Sequence, residues 1–171
     1  LLHQTASTWG RRILQQTGSE VDVCGSENIP DGPVLFISNH QGYFDIPLLL
    51  GYIDKPKGFI AKEELKGVPL FGSWIARIRS VFIDRENIRQ SLKAFQRATK
   101  IMKSGYSMVI FPEGKRSKSP KMDSFKPGSL KLATRSDVPI VPIAINGSYQ
   151  ILEGNKYIIK PREVSIKIFK P

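Results

Sequence analysis

Two apolar periods alternate along this chain. Leu2, Ala6, Trp9 and Ile13 recur every three or four residues, the spacing of one helical face; Arg11 and Arg12 fall on the other side, and Thr17-Gly18 ends the pattern. Residues 21–24 and 34–37 are short apolar runs separated by the turn signal Asn28-Ile29-Pro30-Asp31-Gly32, and they predict two strands. Asp45-Ile46-Pro47 has the form of a helix start, with Asp45 near the cap and Pro47 in the first turn. Residues 59–61 and 81–83 predict further strands, with a short helix over 70–78 between them. Over residues 87–103, Ile88, Leu92, Phe95, Ala98 and Met102 keep helical spacing until Gly105 stops it. A buried strand over 108–111, a helix over 127–134 and late strands over 140–145 and 164–169 complete the series.

This alternation predicts an α/β fold, a single domain with a mixed central sheet flanked by helices over residues 19–171. An amphipathic N-terminal helix within residues 1–18 precedes it. That helix has two readings. Its apolar side packs on the domain's own core, or it lies in a membrane interface with Trp9 at headgroup depth and the arginines on lipid phosphates. No apolar run approaches the ~18 residues needed to cross a bilayer. The chain opens on Leu1 rather than Met, so upstream residues are expected to be missing, with or without a signal or anchor segment among them.

Charge changes the picture. The formal net charge of +11 is concentrated in residues 55–131, which hold 18 Lys/Arg against 6 Asp/Glu, whereas residues 1–54 hold 2 against 6. Such a field draws anions: phosphorylated substrates, nucleic acid or an acidic membrane surface. The basic segment lacks the aromatic interleaving of a single-strand platform, and no helix-turn-helix or zinc pattern is present, so no nucleic acid partner is expected. Cys24 is the only cysteine, which excludes a disulfide within the chain; with His3 and His40 as the only histidines, no metal site is expected.

Two segments carry candidate chemistry. Asn39-His40-Gln41-Gly42-Tyr43-Phe44-Asp45 follows the strand over 34–37 and sets an imidazole five residues before a carboxylate. A neutral imidazole, with an ordinary pKa of about 6.5, suits proton removal from an alcohol, and a carboxylate can fix its tautomer. On one helix the two side chains would diverge by roughly 140°. They meet only if His40 lies in the turn before the helix and Asp45 in its first turn; otherwise His40 is a solvent-facing loop residue. Phe111-Pro112-Glu113-Gly114-Lys115-Arg116-Ser117 follows the strand over 108–111 and joins a permissive glycine to two cations and a hydroxyl. Guanidinium and exposed N–H groups bind phosphate there, unless the segment is a basic surface turn. Glu113 would accept from substrate hydroxyls or hold Arg116. Arg85, at the end of the strand over 81–83, is a further candidate for an anionic ligand, or the partner of Asp84.

With these pieces in order, the chain resembles the glycerophospholipid acyltransferase family, most of all the 1-acylglycerol-3-phosphate (lysophosphatidic acid) acyltransferases. His40 and Asp45 match the family's Asn-His-x4-Asp block. Lys62-Glu63-Glu64-Leu65, Pro69, Gly72 and Val81-Phe82-Ile83-Asp84-Arg85 match the second block, residues 111–117 the third, and Val138-Pro139-Ile140-Val141-Pro142-Ile143 the fourth. Lys115 stands where the family often has Thr, which keeps the block cationic.

The resemblance implies that His40 is the general base and Asp45 its partner. Arg85, Glu113, Gly114, Lys115 and Arg116 would hold glycerol phosphate, with Ser117 at its border and Lys62 near the reacting centre. The fourth block would shape an acyl channel. An acyl group would move from acyl-CoA or acyl-carrier protein to the free hydroxyl of lysophosphatidic acid, giving phosphatidic acid with no cofactor and no metal. The expected setting is the cytoplasmic face of a membrane, with an anionic lipid surface as a partner and attachment peripheral or through an upstream segment. Alternatives are transfer to another lysophospholipid or to glycerol 3-phosphate, or a basic module that binds an anionic membrane or nucleic acid without catalysis.

Overall fold

Five parallel strands bring the ends of four chain segments to one edge of a sheet. The computed structural model describes residues 2–69, 71–84 and 86–171. In chain order the elements are α1 (Leu2–Gln16), β1 (Glu20–Cys24), β2 (Leu35–Ser38), α2 (Asp45–Tyr52), β3 (Lys57–Lys62) and α3 (Phe71–Arg77). Then follow β4 (Val81–Ile83), α4 (Ile88–Lys103), β5 (Ser107–Ile110), α5 (Pro127–Ser136), β6 (Ile140–Asn146) and β7 (Glu163–Ile168). The strands form one mixed sheet in the order β1-β7-β6-β2-β5-β3-β4. From β6 to β4 every pairing is parallel, and β7 turns antiparallel to β6 while running parallel to β1.

Strand alternation splits the core into two layers. Phe36, Phe59 and Val109 face Leu48, Leu49 and Leu50 of α2 and Ala6 and Leu14 of α1. Their neighbours Leu35, Ile60, Met108 and Ile110 face the other way, onto Ala94, Phe95, Ala98 and Met102 of α4 and Leu132 of α5. Because β2 and β5 are covered on both faces, they read as continuous apolar runs rather than alternating ones.

Helix α1 packs on α2 through glycine. A Cβ on Gly10 would lie 2.5 Å from the Pro47 carbonyl oxygen and 2.8 Å from the Gly51 nitrogen, so the two backbones meet where only glycine fits. Arg11 Nε donates to the Gly51 carbonyl at 2.6 Å. The buried stripe is therefore Ala6, Gly10 and Leu14. Leu2 is exposed, and Trp9 and Ile13 are half-buried, with the Trp9 ring centroid 4.5 Å from that of Trp74. The apolar face expected from sequence is rotated toward the flank, because a glycine contact leaves no apolar side chain to count. Among the described residues no helix is long and apolar enough to cross a membrane.

At the far side, Asn87 caps α4 by accepting the Gln90 N–H, yet the first turn of its apolar face stays open: Ile88 is 76% exposed. Val141 of the fourth sequence block is fully buried in β6, which pairs with the central strand β2. Of that block, Val141 and Ile143 are buried in the core, and none of its residues lines the cavity that holds His40.

Candidate active site

Each candidate segment leaves a parallel strand at its C-terminal end, where open α/β sheets hold their ligands. His40 follows β2, Lys62 ends β3, residues 111–117 follow β5, and Ser148 follows β6. Arg85 follows β4 in the sequence and lies outside the described residues. Asn39 extends the sheet with its side chain: its amide donates to the Ile145 carbonyl at 2.8 Å and accepts the Ile145 N–H at 2.7 Å. This reciprocal pair fixes the chain direction one residue before the imidazole.

The turn that follows is wound around a carboxylate. Asp45 opens α2 and is fully buried. Its Oδ2 accepts the backbone N–H of Gln41 at 2.6 Å and of Gly42 at 2.9 Å, and lies 2.7 Å from His40 Nδ1. Its Oδ1 accepts the Ser148 hydroxyl at 2.5 Å. The imidazole is thus held in the turn before the helix and the carboxylate in its first residue, the one arrangement the five-residue spacing allows. The His40 ring also stacks on Phe111, with centroids 3.9 Å apart and planes 14° from parallel. With Nδ1 turned to Asp45, Nε2 is the nitrogen left for a ligand.

The loop after β5 closes onto the same turn. Gly114, at φ 78°, takes a left-handed conformation that glycine accepts without strain, and its N–H returns to the Phe111 carbonyl. Glu113 is 1% exposed; one oxygen accepts the His40 N–H and the other the Asp123 N–H, each at 2.7 Å. Sequence placed it against substrate hydroxyls or Arg116; instead both oxygens are taken by backbone N–H groups, so Glu113 braces the His40 turn from behind. Ser117 likewise gives its N–H to the His40 carbonyl and its hydroxyl to the Ser119 carbonyl, and does not border the cavity.

Arg116 has a different anion. Its guanidinium lies 3.6 Å from the centre of the Tyr43 ring and 3.4 Å from Glu153 Oε1, which also accepts the Tyr43 N–H at 2.8 Å. The Glu153 side chain is 1% exposed, and its Oε2 is buried with no hydrogen-bond partner among the described residues. Neither Glu153 nor Ser148 is recognisable in the sequence, since both stand in short 3₁₀ turns (Ser148–Ile151 and Glu153–Asn155) beyond the four blocks. The only available signal was a lone carboxylate after an apolar pair, Ile151-Leu152.

These groups surround a cavity of about 360 Å³. His40, Lys62, Gly114, Lys115 and Arg116 line its polar side, and Ile46, Phe59, Ile60, Ala61, Leu65, Ile75 and Phe111 make the apolar wall. Lys62 pairs with Glu64, and Lys115 with Asp123 at 3.2 Å, all four side chains being well exposed. A second, largely apolar cavity of about 320 Å³ adjoins it across Ile60 and Phe111 and reaches Ile88, Leu92 and Phe95 of α4. The arrangement offers a base, an anion site and an apolar wall around one space.

The profile of the acyltransferase family matches residues 20–146, about three-quarters of the chain. The chain belongs to the acyltransferase family. Within that family it is 37% identical over 153 residues to a probable 1-acyl-sn-glycerol-3-phosphate acyltransferase of Mycoplasma pneumoniae, covering 86% of this chain and 57% of that protein. It is 31% identical over 163 residues to 1-acyl-sn-glycerol-3-phosphate acyltransferase of Cocos nucifera, covering 95% and 53%. The crystal structure of the 1-acyl-sn-glycerophosphate (LPA) acyltransferase PlsC from Thermotoga maritima superposes with a TM-score of 0.87 at 36% identity, over 99% of this chain and 68% of that one. The chain spans about half the length of the curated acyltransferases it matches.

Proposed function

We propose that this acyltransferase-family chain moves a fatty acyl group from the thioester of acyl-CoA or acyl-carrier protein to the free hydroxyl of 1-acylglycerol-3-phosphate, forming phosphatidic acid. The observation that carries the reading is the 2.7 Å contact between His40 Nδ1 and a fully buried Asp45, at the wall of a cavity that also holds Arg116, Lys115 and Lys62. The acceptor is the one for which relatives at 31–37% identity are named.

In this reading the acceptor's phosphate lies against Arg116 and Lys115, and its hydroxyl meets His40 Nε2. As the hydroxyl oxygen attacks the thioester carbonyl carbon, its proton passes to Nε2, and Asp45 stabilises the imidazolium through Nδ1–H. Lys62 or backbone N–H groups neutralise the oxyanion, an interaction worth about 3 kcal/mol per donor in other enzymes. Collapse of the tetrahedral intermediate breaks the carbon–sulfur bond, and the departing thiolate takes the proton from His40. Donor and acceptor are both substrates, and no cofactor enters the balance. The acceptor is a membrane lipid, so the reading sets the work at the cytoplasmic face of a bilayer.

The test is an acceptor panel with palmitoyl-CoA, following thiol release. Lysophosphatidic acid should support release with equal formation of phosphatidic acid, and monoacylglycerol, which lacks the phosphate, should not. Equal rates with both acceptors would remove the phosphate site from the account. Faster transfer to glycerol 3-phosphate or to another lysophospholipid would change the acceptor.

A further inference from the structure

The described residues contain one run of three consecutive exposed large apolar side chains, Tyr157, Ile158 and Ile159, exposed by 57%, 62% and 55%. Single exposed apolar residues are ordinary, but three in a row at a loop tip need a reason. The tip is not slack. Tyr157 N–H donates to the Leu152 carbonyl, Ile158 N–H to the Asn155 carbonyl and Lys160 N–H to the Ile151 carbonyl. Lys156 and Tyr157 both hold positive φ, 54° and 62°, a conformation non-glycine residues adopt only when their surroundings fix it. Arg162 braces the base of the loop by donating to the Asn155 side chain at 3.1 Å. The apolar tip is presented on a tied frame.

Cations stand on both sides. Lys156 precedes the run and Lys160 follows it; both are exposed, and among the described residues neither forms an ion pair. Apolar side chains flanked by solvated lysines match the boundary between acyl chains and an anionic headgroup layer. The loop is also tied to the mouth of the cavity. Glu153, four residues before Tyr157, accepts the Tyr43 N–H and pairs with Arg116, and Tyr43 is itself 55% exposed at the cavity wall. Helix α1, by contrast, turns its buried stripe onto α2.

We propose that the loop Lys156–Lys160 is a membrane-contact finger, in which Tyr157, Ile158 and Ile159 enter the headgroup region of an anionic bilayer and the two lysines bind lipid phosphate. It thereby sets the cavity mouth against the leaflet. This last clause rests on the function proposed above, since a lipid acceptor must reach Arg116 from its own layer; the binding itself does not. The alternative occupant is an acidic carrier protein, which would also meet lysines beside an apolar tip. The exposed Tyr43, whose N–H is held by Glu153 at the start of this loop, favours the bilayer, because it sets an apolar ring at the cavity where a lipid would enter.

The experiment is flotation of the full chain with phosphatidylcholine vesicles containing phosphatidylglycerol, and with phosphatidylcholine alone. The variants are Ile158→Ser/Ile159→Ser and Lys156→Gln/Lys160→Gln, with thermal melting as the folding check; all four side chains are exposed, so the fold should survive. The isoleucine variant should lose partitioning onto anionic vesicles by about tenfold or more, and the lysine variant by a similar factor that vanishes in high salt. Transfer to lysophosphatidic acid within vesicles should fall in parallel, while transfer to a monodisperse short-chain acceptor should stay at the wild-type rate. Vesicle binding by a folded isoleucine variant at the wild-type level would overturn the proposal. So would retained vesicle binding with lost capture of acyl-carrier protein, which assigns the loop to a protein partner. If the wild type transfers to no acceptor, the proposed function fails, and the flotation result still decides the finger.

Discussion

Glu153 shows how a single buried charge can organise a site. A carboxylate withdrawn from water needs a countercharge, and Arg116 supplies it while facing the cavity. The same oxygen holds the Tyr43 N–H, so the anion site and the turn that carries His40 share one anchor. Glu153→Gln keeps an acceptor for Tyr43 and removes the charge. The expected result is a rise of about tenfold in the KM for lysophosphatidic acid with kcat changed less than about twofold. In an Arg116→Ala background the same substitution should add nothing, because the effect passes through the guanidinium. Steady-state kinetics on the four proteins give the answer; additive losses would make Glu153 merely structural. At this scale the sequence yields the imidazole, its carboxylate partner and the cationic loop, since each is carried by a compact local pattern. Glu113 was legible as a site residue but not in its role, because only the fold shows both its oxygens taken by backbone.

Among the elements, the contact of α1 with α2 is the most exacting. Gly10→Ala would place a methyl group against the Pro47 carbonyl, which is backbone and cannot swing aside. It should lower unfolding stability by about 1–3 kcal/mol, read as an earlier urea midpoint; an unchanged midpoint would mean that the helices are not in contact. Strand β3 carries a second constraint. Lys57 is fully buried, with Nζ donating to the Ile53 and Lys55 carbonyls, and burial lowers its pKa to about 7 against the opposing pull of Asp54. Above pH 7 the folded chain has released this proton while the unfolded chain, at 10.5, retains it. The unfolded state then binds more protons, so stability rises with pH through that window; below pH 7 both states are protonated and the full cost remains. Urea denaturation from pH 6.5 to 9.5 should show a gain of about 1–3 kcal/mol that Lys57→Met abolishes. Parallel curves for the two proteins would refute it. Apolar runs made β2, β5 and β6 easy to read, but the burial of Lys57 was not, because a lysine in sequence gives no sign of two carbonyls waiting for it.

For the whole molecule, the decisive feature is direction. Five strands run parallel and deliver His40, Lys62, residues 111–117 and Ser148 to the same edge, although they are separated by up to about a hundred residues of chain. Strand order, β1-β7-β6-β2-β5-β3-β4, could not be read from local pattern: parallel neighbours such as β2 and β6 pair across more than half of the chain. The fold class was legible because helical and strand periods alternate, and the ordered blocks pointed to the family. In the proposed reaction the His40 imidazole, held by buried Asp45, removes the acceptor's proton. The direct measurement is kcat of folded His40→Ala for acyl transfer from palmitoyl-CoA to lysophosphatidic acid, beside the wild type. A fall of about a thousandfold with the melting temperature preserved is the predicted result; a rate equal to that of the wild type would contradict it.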